Sequence, residues 1–341
     1  MHPWNVLQLA RMLMTKHHGR DYLTASITLE ELAGLTEGGD VSAAVVSVEA
    51  GQSQVRVPFD ARRDAARSDF QFFTDGRQMT ALIAWLPGLG DDIPMHLYNV
   101  GAAVLERSRR LLRPYGRPVV ESGIIVAEPL VHDRSILDEF RRRGVRVVDA
   151  RVEGPNVDTP TLRRAAVDRT RRCREDIERT AIEAWYAASP HDGFLAVDGT
   201  LADVPDAVDH GRCVGIAKSH LTRYIEPSAH RAVFALPAGH RSCPFRIGAV
   251  STASRDRISW YLRLRGGGPA GREFGLVRIE IDADAFGEHP AFYADLFSRS
   301  VLAESRPTSY PASRWDNHLY PIWACERYLA SVLRTTTIGS R

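Results

Sequence analysis

The amino-acid sequence predicts an α/β protein in which helices flank a mixed β-sheet. Three observations carry this prediction. Strand-like apolar segments follow one another closely between residues 70 and 105, which is typical of an antiparallel meander. A long, arginine-rich amphipathic helix is then predicted over about 161–188. Two further apolar segments follow that helix, as expected for strands added to a sheet in parallel.

Composition describes an ordinary globular chain of 341 residues with a formal net charge of +2. That charge is too small to indicate nucleic-acid binding by itself. Lys16 and Lys218 are the two lysines, and every other Lys/Arg-type side chain is arginine. Arginine clusters at 107–113, 141–146 and 163–174 are candidates for phosphate contacts, although pairing with surface acids is the commoner role.

Cysteine usage and hydropathy favour a cytoplasmic setting. The four scattered cysteines form no Cys-x-x-Cys pair, which argues against a zinc ribbon and for a reduced compartment. No apolar stretch approaches the ~20 residues of a membrane span, so no membrane partner is expected. The first 21 residues predict a short amphipathic helix rather than a signal peptide. Its apolar side is formed by Val6, Leu7, Leu9, Ala10, Leu13 and Met14.

The predicted elements follow in chain order. Residues 1–67 are interpreted as an N-terminal extension or partner-docking region, with a hairpin around Gly51. Strands are predicted at 70–74, 79–85, 94–105, 123–126, 145–148, 193–197, 213–217, 231–236, 258–264 and 276–281. Helices are predicted at 135–143, 161–188, 290–298 and 317–333. A meander followed by a helix and a parallel addition is the pattern of an RNase H-like core, here with additional strands and helices in the C-terminal half.

Two of these strands end in Asp-Gly, at Asp75-Gly76 and at Asp198-Gly199. Each is expected to deliver one carboxylate and to turn the chain at the glycine. Asp-Gly is also a common turn sequence with no further role. In an RNase H-like sheet the two strands are neighbours, so both aspartates face one site. Mg²⁺ and Mn²⁺ favour such oxygen ligands.

The long helix adds candidate ligands. Glu175 and Glu178 are three residues apart and share roughly one helix face, from which one of them can reach the strand ends. Ordinary pairing with neighbouring arginines is the alternative for either one. Lys218 follows the strand after Asp198 and is a candidate phosphate contact. Near the C-terminus, His318 is a candidate metal ligand or proton donor, although a lone histidine is usually neither.

The ordered set of segments resembles the NurA nuclease family over roughly residues 68–335, with 336–341 as a tail. The segments that carry it are FFTDGRQ (72–78), the strand at 94–103, REDIE (174–178), LAVDGTL (195–201), VGIAKS (214–219) and VRIE (277–280). The resemblance implies an RNase H-like fold and a Mn²⁺-dependent deoxyribonuclease, with Mg²⁺ as a second possible ion. It also implies a homodimer that works with a hexameric HerA-type ATPase, which translocates DNA.

The resemblance also assigns site residues. The family's acidic ligands fall on Asp75, Asp198 and either Glu178 or Glu175, of which Glu178 is preferred because it lies nearer the following strand. The family's C-terminal Tyr and His fall on Tyr310 and His318, eight residues apart. The Ala-His pair that is typical of the family's ending is absent. Lys218 and Arg77, which lies in the first matched segment, are the expected DNA contacts.

The expected function is therefore divalent-metal-dependent hydrolysis of DNA phosphodiester bonds, in DNA end processing or antiphage defence. An alternative is a catalytically weak interaction subunit of an ATPase complex with the same fold. A third is another RNase H-like enzyme that cleaves RNA or acts like a transposase. The sequence has no phosphate-binding loop with the spacing of a nucleotide-binding motif, so any ATP dependence is expected to come from a partner.

Overall fold

The structure, a computed structural model, describes residues 3–17, 23–30, 45–47, 68–109, 111–152, 157–188, 193–218, 224–225, 227–248, 255–266, 273–305 and 319–337. Its helices are α1 (Pro3–His17), α2 (Ser135–Arg142), α3 (Thr159–Ala188), α4 (Pro227–Phe234), α5 (Ala283–Phe286), α6 (Pro290–Glu304) and α7 (Tyr320–Thr337). Its strands are β1 (Leu23–Glu30), β2 (Val45–Ser47), β3 (Phe70–Leu86), β4 (Ile93–Ser108), β5 (Leu111–Val126), β6 (Arg146–Asp149), β7 (Phe194–Asp198), β8 (Cys213–Ala217), β9 (Phe245–Ile247), β10 (Arg257–Arg263) and β11 (Leu276–Asp282).

The described strands join one mixed sheet in the order β2-β9-β10-β11-β8-β7-β3-β4-β5-β6, with β1 also paired to β3. Strands β3, β4 and β5 form an antiparallel meander. Strand β7 lies parallel beside β3, and β8 lies parallel beside β7. The predicted α/β class, with a mixed sheet and flanking helices, is therefore confirmed, and the two strands that carry Asp75 and Asp198 are neighbours.

The helices cover both faces of this sheet. A Cβ at Gly76 would meet Glu178 of α3, whereas a Cβ at Gly101 would meet Leu329 and Leu333 of α7. Since Gly76 pairs with Ala102, the neighbour of Gly101, and successive residues of a strand point to opposite faces, α3 and α7 lie on opposite sides of β3 and β4. Helix α6 shares the face of α7, where Phe297 stacks on Phe70 at 5.9 Å between ring centroids.

Two predicted elements are wrong. The segments 70–74 and 79–85 are not hairpin partners but parts of the single strand β3, which is 17 residues long. Strand β4 pairs with β3 from Phe72 to Leu86, so the chain stays extended through Asp75-Gly76. The segment predicted as a strand at 231–236 lies largely in helix α4, which begins at Pro227, because proline is favoured in the first turn of a helix.

The described parts of the N-terminal region are built into the sheet and its core. The predicted amphipathic helix is confirmed as α1, whose Val6, Ala10, Leu13 and Met14 are fully buried against the cluster that includes α2 and β4. Strand β1 pairs with β3, and β2 pairs with β9. The rest of the hairpin predicted around Gly51 lies outside the described residues. All four cysteines are free, and none of the described helices has the length and apolarity needed to cross a bilayer.

A buried charged cluster joins the C-terminal strands. Glu280 of β11 is fully buried and accepts hydrogen bonds from Arg278 and, at 3.1 Å, from Arg257 of β10. Burial raises the pKa of Glu280, but the charges of the two arginines outweigh it and hold that pKa below its ordinary value. Among the described residues, the carboxylate is the acidic partner of both buried arginines and compensates their charges.

This compensation predicts an acid-sensitive part of the protein's stability. Because the folded pKa of Glu280 is lowered, its stabilisation is complete above the unfolded pKa of about 4.3 and is lost as pH falls through the folded value. Glu280→Gln is expected to lower the free energy of unfolding by about 3–5 kcal/mol at neutral pH, since it leaves buried arginines uncompensated. Denaturant titrations at pH 7 and below pH 4 measure both effects.

The matched control is Asp256→Asn, which breaks an exposed pair with Arg246 on a neighbouring part of the sheet. Exposed ion pairs contribute about 1 kcal/mol or less, so this variant is expected to unfold almost like the wild type. The difference between wild type and Glu280→Gln is expected to shrink below pH 4. A difference that stays constant between pH 7 and pH 3 would contradict the lowered pKa.

Candidate metal and phosphate site

The candidate site lies in a gap beside strand β3. Strand β4 covers one edge of β3 along nearly its whole length, so β7 and β1 share the other edge. Pairing with β7 ends at Thr74 and Val197, and pairing with β1 ends at Thr80. Residues 75–79 of β3 therefore have no strand neighbour on this edge within the described part of the chain. Parallel strands commonly present their ligands at such carboxyl ends.

Asp75 is the first residue of this gap. The residue is only 7% exposed, and its carboxylate accepts a hydrogen bond from the backbone N–H of Gly76 at 2.8 Å. Burial, and then the charge of Asp198, raise the pKa of Asp75 well above its ordinary value. Lys218 opposes that shift, whereas Glu178 adds to it. Besides burial, the charges of nearby carboxylates therefore disfavour the ionised form of Asp75.

Asp198 ends β7 beside Asp75, in the next register position after the Thr74–Val197 pair. Its Oδ2 lies 2.6 Å from Nζ of Lys218, which follows β8 directly. Gly199 then has φ +133°, a value that favours glycine, and its N–H donates to the carbonyl of Ile216 at 3.1 Å. The predicted turn after Asp198 is therefore present, and the sheet brings Lys218 to a carboxylate.

Glu178 of α3 approaches the same gap from the opposite face. A Cβ at Gly76 would lie 1.8 Å from its Oε1, so the glutamate carboxylate packs directly on β3, in the space that a side chain at position 76 would fill. The prediction that Gly76 turns the chain is therefore wrong. Its lack of a side chain instead makes room for Glu178. Burial raises the pKa of Glu178 to about 7. The charge of Arg174, whose guanidinium lies 2.8 Å from Oε1, opposes this shift, whereas the charge of Asp198 adds to it.

The other helix glutamate lies further from the strand. Glu175 is 37% exposed in its side chain and stands 4.0 Å from Arg174, as a surface pair does. Of the two glutamates considered as metal ligands, Glu178 is therefore the one that the helix register places against β3. Tyr310 and His318 lie outside the described residues.

Helix α7 supplies two residues that the sequence reasoning missed. Glu326 lies 3.2 Å from Arg77, two residues along β3 from Asp75, and its charge contributes to the raised pKa of Asp75. Cys325 is fully buried, and its thiol donates to the carbonyl of Ala103 at 3.3 Å. The buried face of α7, with Ile322, Cys325 and Leu329 at helical spacing, could have pointed to them, but nothing in the sequence says which strand that face covers.

The predicted DNA contacts are both engaged within the protein. Lys218 pairs with Asp198, and Arg77 pairs with Glu326. In the arginine cluster at 141–146, each arginine has an acidic partner within 4 Å. These pairs are Arg141–Glu128, Arg141–Asp138, Arg142–Glu139, Arg143–Glu139 and Arg146–Glu121. That cluster therefore behaves as a paired surface.

The donor chemistry at the gap fits a hard divalent cation, because Asp75, Asp198 and Glu178 all offer carboxylate oxygens. Among the described residues, no three acidic, histidine or cysteine side chains are grouped closely enough to hold a metal ion. Two features account for this. Asp75 and Glu178 approach β3 from opposite faces, and Lys218 and Arg174 each engage one carboxylate.

No protein-family model matches this chain, and no curated protein matches it.

The close approach at Gly76 predicts the effect of a single methyl group. Gly76→Ala is expected to displace the Glu178 carboxylate toward solvent and to lower the pKa of Glu178 from about 7 toward 4.5, because burial causes the shift. The free energy of unfolding is expected to change by about 1 kcal/mol or less, since a strand accepts alanine well. Carbon-13 NMR titration of the side-chain carboxyl measures the pKa.

Gly90→Ala is the control, because a Cβ at Gly90 meets nothing within 4 Å. That variant is expected to leave the titration of Glu178 unchanged. An unchanged pKa in Gly76→Ala would mean that the carboxylate does not pack against the strand at Gly76.

Proposed function

We propose that this protein is a divalent-metal-dependent nuclease that hydrolyses phosphodiester bonds in DNA. One observation carries the proposal: the parallel register of β3 and β7 sets Asp75 beside Asp198 where pairing ends, and Glu178 packs on β3 at the adjoining Gly76. The raised pKa values of Asp75 and Glu178 support it, since strongly perturbed carboxylates in one cleft are typical of functional sites.

We further propose that the core is RNase H-like and that the chain is a NurA-type nuclease. The sheet order β5-β4-β3-β7-β8 supports this, with three antiparallel strands followed by two that run parallel to β3. The order and spacing of the segments quoted above support it from the sequence. A homodimer and a hexameric HerA-type ATPase partner, in DNA end processing or antiphage defence, complete the proposal and rest on the resemblance alone.

Each residue of the gap has a role in this proposal. Asp75, Asp198 and Glu178 are the groups that would hold Mn²⁺ or Mg²⁺. When bound, the ion supplies an activated water and neutralises charge at phosphorus. Lys218 leaves Asp198 to contact a phosphate oxygen when DNA binds. Arg77 likewise leaves Glu326 to contact a phosphate. Phosphate contacts of this kind hold DNA without reading its sequence.

An alternative function is a catalytically weak interaction subunit of an ATPase complex. The observation that favours it is the pairing of Asp198 with Lys218 and of Glu178 with Arg174. In that case these pairs are permanent structural contacts. The two proposals differ in whether the carboxylates bind a divalent ion.

The nuclease proposal predicts loss of cleavage on removal of either aspartate charge. Asp198→Asn and Asp75→Asn are each expected to lower Mn²⁺-dependent cleavage of DNA by about 100-fold or more, because a direct oxygen ligand is lost. Asp256→Asn is the control, because it changes an exposed pair beside strands β9 and β10, away from β3 and β7. This variant is expected to keep full activity. Cleavage of end-labelled single- and double-stranded DNA, with and without Mn²⁺, measures the effect.

Equal cleavage by wild type and Asp198→Asn would overturn the nuclease proposal. A wild type that neither cleaves DNA nor binds Mn²⁺, alone or with its ATPase partner, would favour the interaction subunit. Competition between DNA and RNA substrates distinguishes a deoxyribonuclease from an RNA-cleaving enzyme of the same fold.

Lys218 offers a test of DNA contact that does not depend on cleavage. Lys218→Gln is expected to weaken DNA binding and to reduce the slope of log affinity against log salt by about 1, because one phosphate contact is lost. Lys16→Gln removes the other lysine of the chain, an exposed residue of α1, and is expected to leave the slope unchanged. Fluorescence anisotropy across a salt series measures both. Equal slopes in the two variants would exclude Lys218 as a phosphate contact.

A further inference from the structure

The turn that follows Asp198 lies across strand β8. A Cβ at Gly215 would stand 2.9 Å from the backbone N of Leu201 and 3.0 Å from the carbonyl oxygen of Gly199. The turn thus packs directly on the backbone of β8, in a space that any side chain at position 215 would fill. Its first residue is held by the same strand, since the N–H of Gly199 donates to the carbonyl of Ile216.

Glu280 fixes the far end of the same turn. Strand β11 places Glu280 opposite Gly215, and its Oε2 accepts the N–H of Leu201 at 3.0 Å. The same oxygen accepts from Arg257 at 3.1 Å, and Oε1 accepts from Arg278. A carboxylate held by two guanidinium groups has little freedom to move, so the position of the Leu201 backbone follows from that of Glu280.

The cluster also extends toward the chain beyond Lys218. Arg278 pairs in the sheet with Ala217, the residue before Lys218. Its guanidinium lies 4.4 Å over the ring of Tyr224, which stands six residues after Lys218. Glu280 is therefore connected to the segments that carry both members of the Asp198–Lys218 pair.

We propose that Glu280 is a positioning residue of the candidate site: it holds the turn after Asp198, and with it the Asp198–Lys218 pair, in place for the ion and the phosphate. The role of this positioning in metal and phosphate binding rests on the proposed function. The positioning itself is a property of the protein without metal or DNA. Glu280 touches neither the candidate ligands nor a reacting atom. It acts through the backbone of Leu201.

The experiment separates positioning from stability with two variants at Leu201. Leu201 begins a short 3-10 helix after Thr200, whose φ of −99° and ψ of 156° suit a residue that precedes proline. Leu201→Pro replaces the N–H that Glu280 accepts with a ring carbon, so the hydrogen bond is lost while the charged residues of the cluster are all retained. Leu201→Ala loses the same buried side chain but keeps that N–H. Glu280→Gln is tested beside them, and the proline variant keeps the test valid if the glutamine variant does not fold.

Two readouts are measured on the full chain. Hydrogen exchange of the Gly199 amide reports on the turn without metal or DNA, and Mn²⁺ binding followed by electron paramagnetic resonance reports on the ligands. Loss of one hydrogen bond corresponds to a factor of about ten. We therefore expect about tenfold faster exchange and about tenfold weaker Mn²⁺ binding in Leu201→Pro and Glu280→Gln than in Leu201→Ala.

Equal exchange at Gly199 in Leu201→Pro and Leu201→Ala would overturn the proposal, whatever the protein's activity. Faster exchange with unchanged Mn²⁺ binding would also overturn it, because the turn would then move without affecting the ligands. If the wild type binds no Mn²⁺ and cleaves no DNA, the proposed function fails. The exchange comparison then still decides whether Glu280 positions Asp198.

Discussion

The parallel pairing of β3 with the much shorter β7 is the constraint on which the candidate site depends. Strand β3 has 17 residues and β7 has five, so β7 ends at the level of Asp75, well inside its partner. The free edge beyond that point is not covered until β1 begins to pair at Thr80. Asp75 and Asp198 lie at this interruption, and Glu178 packs on β3 beside it at Gly76.

Glycines without a side chain decide how closely helix α3 and the turn after Asp198 approach the strands around this gap. Gly76 lets Glu178 pack on the backbone of β3, and Gly215 lets the turn after Asp198 pack on the backbone of β8. Neither glycine has a positive φ, so both are required by close packing rather than by backbone conformation. Gly199 differs, because its φ of +133° ends β7 and starts the turn. Two Asp-Gly pairs of identical sequence therefore serve different purposes.

This difference marks how far the sequence could predict the molecule. The long helix α3, the strands at β7 and β8 and the pairing of the two aspartate strands follow from apolar periodicity and element order. The mid-strand position of Gly76 could not be predicted, since Asp-Gly favours a turn locally and only pairing with β4 keeps the chain extended. The roles of Glu326 and Glu280 were equally hidden, because each depends on contacts with residues more than 20 positions away.

The buried carboxylates of the protein fall into two electrostatic kinds. Glu280 is fully buried, but the charges of two arginines outweigh the effect of burial and lower its pKa. Its ionised form is therefore favoured in the folded protein. Asp75 and Glu178 are also buried, yet their pKa values are raised, because the nearby cations do not offset burial and the charges of the other carboxylates. Uncompensated acidic groups cost stability, and proteins commonly keep them where a ligand supplies the missing positive charge. The same contrast places Glu280 in the framework and agrees with the metal-binding role proposed for the residues of the gap.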